Sequence, residues 1–135
     1  MFKIATLADW FGVSDIVCSP DSADCFNPKV IQATMGAILR VRVHYTNLAE
    51  YIDRVPASTP IYGTFLEGEN LYNTALENRG LVIMGSEGRG ISAAVGAKVT
   101  NKLLIPPYPA DNHNTESLNV AIATAIICAE IRKAK

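Results

Sequence analysis

Residues 81–92 read "LVIMGSEGRGIS": an apolar run, then Gly85, Gly88 and Gly90 with Glu87 and Arg89 among them, followed by "AAVGAK". A strand-like run entering a glycine-rich turn and leaving as a helix is a common way to hold a nucleotide, because bare backbone can approach a ligand closely. The spacing here is G-x-x-G-x-G. That is neither the dinucleotide fingerprint, whose glycines are spaced G-x-G-x-x-G, nor a P-loop, since no Gly-Lys-Ser/Thr ends it.

Working outward, strand-like and helix-like runs alternate along the chain. "IATLADWF" has Ile4, Leu7, Ala8 and Phe11 at helical spacing, with Gly12 as its stop. "DIVCS" reads as a short strand. "NPKVIQATMGAILR" reads as a helix with Asn27 as N-cap and Pro28 at its first position. "VRVHYT" is a strand, "NLAEYIDRV" a short helix capped by Asn47, and "PIYGTFLEGEN" a strand running into a Gly-Glu-Asn turn. "LVIM" and "KLLIP" are strands on either side of the helix "ISAAVGAKV". A polar loop then leads into the final helix, "SLNVAIATAIICAEIRKAK". Short connections and continuous Val/Ile/Leu strands predict an α/β domain around a mostly parallel sheet. Ligands of such sheets sit at the carboxyl ends of the strands, here Thr64–Gly68, Gly85–Gly90 and Ile105–Pro107.

The chain has 135 residues, enough for one domain with a genuine core, and no internal repeat or linker divides it. A net charge of -1 gives no overall attraction to nucleic acid, so any RNA contact needs a local basic patch. Cys18, Cys25 and Cys128 show no C-x-x-C spacing, which fits reduced thiols in a cytoplasmic protein. The N-terminus has no signal-peptide pattern, and no apolar stretch has the length of a membrane span, so a soluble protein is expected. Two isolated histidines point to no metal site. From Leu118 to Ala129 only Asn119 and Thr124 are polar. A helix apolar all round needs cover, either from its own sheet and helices or from a second subunit in a symmetric dimer. Trp10 and the methionines read as core.

Three stretches together resemble one family. "LVIMGSEGRGIS" and "IPPYPADNHNTESLNVAIATAI" (105–126) are similar to the second and third motifs of the SpoU (TrmH-like) branch of the SPOUT methyltransferases. "VIQATMGAILRVRV" (30–43) is similar to the stretch that lies between that family's first and second motifs. The resemblance implies transfer of a methyl group from S-adenosylmethionine to a ribose 2′-hydroxyl of rRNA or tRNA, without a metal. It implies a parallel sheet flanked by helices with a C-terminal deep trefoil knot, and a homodimer packed through the last helix. The glycine turn then becomes one wall of a cofactor pocket.

Carried over by position, the resemblance puts Thr64, Phe65 and Leu66 on the adenosine side of the pocket. Gly85 admits the cofactor to the backbone, Ile105 contacts it from across the pocket, and Leu118 closes it. Glu87, Ser117 and Asn119 fall at the reactive centre, and Arg89 at an RNA phosphate. Other readings of the same residues remain open: Glu87 as a carboxylate at a helix N-terminus, Ser117 or Thr115 as N-caps, and Arg89 as a solvated loop residue. Arg40 and Arg42 read as a surface pair, and His113 as a plain loop residue.

The match departs from the family at its first motif, where an Asn and an Arg precede the helix that here reads "LADWFG". Thr6 stands where that Arg belongs, and only Met1 to Ala5 lie upstream. The expectation is a SpoU-type domain over residues 1–135 that is N-terminally incomplete and a poor catalyst. Two accounts stand side by side: truncation of an active enzyme, or an inactive relative that serves as an S-adenosylmethionine- or RNA-binding dimer module. An unrelated nucleotide-binding α/β domain is the third reading, and it predicts a preference for adenine nucleotides.

Overall fold

Every strand pair is parallel among the residues that the computed structural model describes, which are 2–20, 40–85, 90–112 and 118–133. This is the α/β architecture expected from the alternation of runs. Contacts divide the chain into two compact units, Met1–Val55 and Pro56–Lys135.

In the first unit, α1 (Phe2–Trp10) ends at Gly12, whose φ of 68° is readily open to glycine. The Val13 amide donates back to the Ala8 carbonyl and the Gly12 amide to Asp9, so the helix closes in a Schellman arrangement. Strands β1 (Asp15–Cys18) and β2 (Arg42–Tyr45) pair from Asp15 opposite Arg42 to Cys18 opposite Tyr45. The apolar centre is small: Ala5 is fully buried against Ile16 and Val43. Charge adds clips outside it. Arg40 forks onto both Asp9 oxygens at 2.7–3.0 Å, and Arg42 onto both Asp15 oxygens at 2.9 and 3.0 Å. Arg40 and Arg42 are therefore surface residues, but paired ones.

Helix α2 (Leu48–Arg54) follows, with the Asn47 side chain accepting from the Glu50 amide, as its sequence predicts. The helix expected from Asn27 onward lies outside the described residues. Trp10 differs from expectation: it is 82% exposed. Two residues beyond buried Ala8 is about 200° round a helix, so the small face of Ala5 and Ala8 packs inward and the indole stands outside.

The second unit is a three-stranded sheet in the order β4 (Leu81–Ile83), β3 (Ile61–Asn70), β5 (Asn101–Leu104). Its core is Tyr62, Leu71, Leu76, Leu103 and Ile127, with Met84, Ile105, Ile126 and Ile131 packed against it. The hydroxyl of buried Tyr62 accepts from the Glu77 amide at 2.9 Å, so its polar tip is satisfied. The expected turn at Gly-Glu-Asn is absent. Instead β3 bulges between Thr64 and Glu69, both of which face Leu103, and continues to Asn70. Asn70 then caps a single 3-10 turn, Leu71–Asn73.

Helix α3 is only Ala93–Gly96, capped by Ser92, shorter than its apolar pattern predicts. The final helix, α4 (Val120–Arg132), is capped by Asn119; Ser117 and Thr115 lie outside the described residues. Thr124 is buried but donates to the Val120 carbonyl at 2.7 Å. One side of α4, through Thr124, Ile127 and Cys128, faces inward, while Ile122 is 54% exposed. Cys18 and Cys128 are buried and not in a disulfide with each other, and burial pushes the Cys128 thiol up; Cys25 lies outside the described residues. Among the described residues, no helix is long and apolar enough to cross a membrane, and no group of three His, Cys, Asp or Glu could hold a metal ion.

Candidate functional site

The carboxyl ends of β3, β4 and β5 bring several of the expected residues to one edge of the second unit. Gly63 pairs with Ile83 at the end of the β3–β4 ladder, which places Thr64 beside Met84. The half-buried Thr64 hydroxyl reaches Met84 Sδ at 4.0 Å. Ile105, just past β5, and Met84, just past β4, lean on the same core cluster. All of this follows from parallel pairing, which points every strand's carboxyl end the same way.

Gly85 explains the glycine-rich turn. A Cβ placed on it would lie 2.4 Å from the Gly90 carbonyl carbon and 2.7 Å from the Ile91 amide nitrogen. The chain leaving β4 is therefore met by the returning backbone of Gly90 and Ile91, and no side chain fits between them. Gly90 itself has φ 68°. Glu87 and Arg89, which sit within this loop, lie outside the described residues, as does Ser117.

Phe65 and Leu66 are on the β3 bulge but face different surroundings. Leu66 is 77% exposed. The Phe65 ring is half-buried and lies beneath Lys102, whose Nζ is 4.8 Å from the ring centroid. Leu118 is about half exposed, directly ahead of the α4 cap. Asn119 serves the fold directly, since its Oδ1 accepts from the Ala121 and Ile122 amides at 2.9 and 3.4 Å. A capping residue is fixed in orientation, which does not conflict with a role at a site. Thr6, at the first-motif position, is exposed on α1 of the first unit. Sequence reasoning did not single out Met84 and Lys102. Their places depend on strand register, which no local motif reports.

The surface at the strand ends is apolar and backbone-rich, with Thr64 supplying a hydroxyl. The family model for SpoU rRNA methylases matches residues 3–129. This chain belongs to the SpoU family.

Relatives within and around the family agree. The chain is 33% identical over 127 residues to the 23S rRNA (guanosine(2553)-2′-O)-methyltransferase RlmP of Bacillus subtilis, which covers 93% of this chain and 50% of that protein. Among solved structures, a TrmH-family RNA methyltransferase candidate from Porphyromonas gingivalis superposes with a TM-score of 0.88 at 42% identity, over 99% of this chain and 54% of that one. An rRNA methyltransferase from Sinorhizobium meliloti with bound AdoMet superposes with a TM-score of 0.85 at 26% identity, over 97% of this chain and 50% of that one. This SpoU chain thus spans about half the length of the relatives it matches.

Proposed function

We propose that this SpoU chain binds S-adenosylmethionine and takes part in methylating a ribose 2′-hydroxyl of rRNA or tRNA. The observation that carries the reading is Gly85 closed against the Gly90–Ile91 backbone, beside Thr64, where the resemblance puts the cofactor. Family membership and the rRNA methyltransferase relatives support the substrate class.

The residues present fit the cofactor. Leu66 and Ile105 offer apolar contact to an adenine, and the Thr64 hydroxyl lies at the same strand ends. When bound, S-adenosylmethionine would supply an electrophilic methyl on its sulfonium sulfur, with the thioether as the neutral leaving group. The protein's work is to orient the hydroxyl and favour its loss of a proton. Asn119, whose side-chain oxygen is held by the α4 amides, keeps in this proposal the place at the reactive centre that the resemblance gives it. Glu87, Ser117 and Arg89 keep, as parts of this proposal, the roles the resemblance gives them.

The same reading treats residues 1–135 as one SpoU-type methyltransferase domain, knotted at its C-terminal part and working in the cytoplasm. It pairs two copies through the last helix, and the exposed Leu118, Ile122 and Ala129 supply an apolar stripe for that contact. Calorimetric titration of the chain with S-adenosylhomocysteine, using ATP as control, tests the central claim. Saturable binding of the first and none of the second is expected. A folded chain that binds neither, or prefers ATP, refutes it.

A further inference from the structure

The β3 bulge is held at both of its ends by a single residue. Thr64 and Glu69 both pair with Leu103, so Phe65, Leu66, Glu67 and Gly68 stand out of the ladder. At the near end, the Phe65 ring lies over the bare face of Gly63, where a Cβ would come within 3.0 Å of Phe65 Cε2 and 2.9 Å of a Val99 methyl. The same ring lies against Gly96 of α3, 3.7 Å from where its Cβ would be. Lys102 closes the slot from β5 with its ammonium over the ring at 4.8 Å. At the far end, Gly68 presses on the Lys102 carbonyl, whose oxygen would be 2.6 Å from a Cβ. Leu66 stands at the crest, 77% exposed.

We infer that Phe65 and Lys102 are positioning residues for the cofactor: the ring, seated on Gly63 and Gly96 and capped by the ammonium, fixes the bulge so that Leu66 and its backbone meet the ligand already ordered. The inference rests on the strand-end pocket being the cofactor site. Its physical basis is preorganisation. A bulge ordered before binding spares the ligand the entropy cost of ordering it. A cation over an aromatic face contributes modestly at an exposed position, so Lys102 tunes the bulge while the Phe65 ring defines it.

Binding of S-adenosylhomocysteine, thermal unfolding and amide hydrogen exchange of Leu66–Gly68 are to be compared in the wild-type chain and three variants. Lys102→Met keeps the aliphatic stem and removes the charge. It should weaken binding about two- to fivefold and speed exchange in the bulge, with the melting temperature unchanged. Lys102→Arg should restore both. Phe65→Ala should weaken binding by roughly tenfold or more. Wild-type affinity and exchange in Lys102→Met overturn the inference, as does a Phe65→Ala chain that is folded and binds normally. A wild-type chain that fails to bind removes the pocket reading itself, which is a distinct outcome from binding that the variants leave untouched.

Discussion

The two units hold their parallel strands by different means. The first pairs two four-residue strands around a small alanine-centred contact and adds surface ion pairs, Arg40 on Asp9 and Arg42 on Asp15, with His44 hydrogen-bonded to the same Asp15. The second wraps a sheet around Leu71, Leu103 and Ile127, all fully buried, and satisfies its inner polar groups at short range. Stability in the second therefore rests on close packing, which is insensitive to salt and pH. In the first, a larger part depends on charge, which salt screens. The residues proposed to bind the cofactor belong to the packed unit.

The largest expected effect breaks the packed side. Leu103→Ala removes a fully buried side chain from the centre of the second core, and denaturant titration should show a loss of about 2–5 kcal/mol. Asn119→Ala removes the cap of α4 and should cost about 1 kcal/mol by the same measurement, with Asn119→Asp close to wild type.

On the charged side the effect is smaller. Asp15→Asn should cost about 0.5 kcal/mol, less at high salt, because the pair is largely exposed. It also carries a signature in pH. Hydrogen bonds from Arg42, Ser14 and His44 hold the Asp15 carboxyl well below the usual carboxylate range. That contribution is complete above the unfolded value, about 3.9, and fades as pH falls through the lower folded value. Wild type should thus lose stability in acid more steeply than Asp15→Asn. The smallest effect should come from Trp10→Ser, within about 0.5 kcal/mol, because the indole is almost wholly exposed. A large loss there would mean that the first unit hides a contact for Trp10.

Much of this was written in local patterns. The strands at Asp15, Arg42, Leu81 and Asn101 and the Asn47 cap follow from β-rich runs and helix-start chemistry, whereas Gly85 is needed for the return of the chain's own Gly90–Ile91 backbone, a reason its local pattern does not state. What escaped was set by tertiary context. Nothing within "YGTFLEGEN" reveals that Thr64 and Glu69 share one partner, since that register is written in β5. The α4 cap was ambiguous because "NTESLN" offers several competent residues, and packing of Ile127 decides the phase. Trp10 stands outside because helical angle outweighs hydrophobicity there; Ala5 and Ala8, though small, mark the inner face.

The shared partner at Leu103 also has a consequence for how this protein can change. The ladder stops at Thr64 and resumes at Glu69 without advancing along β5, so the sheet does not count the residues between. Insertions or deletions there leave both flanking registers intact, whereas one added residue on either side would turn every following side chain to the opposite face. The bulge is a place where loop length can drift, or be varied in a library, while the strands that carry it stay in step.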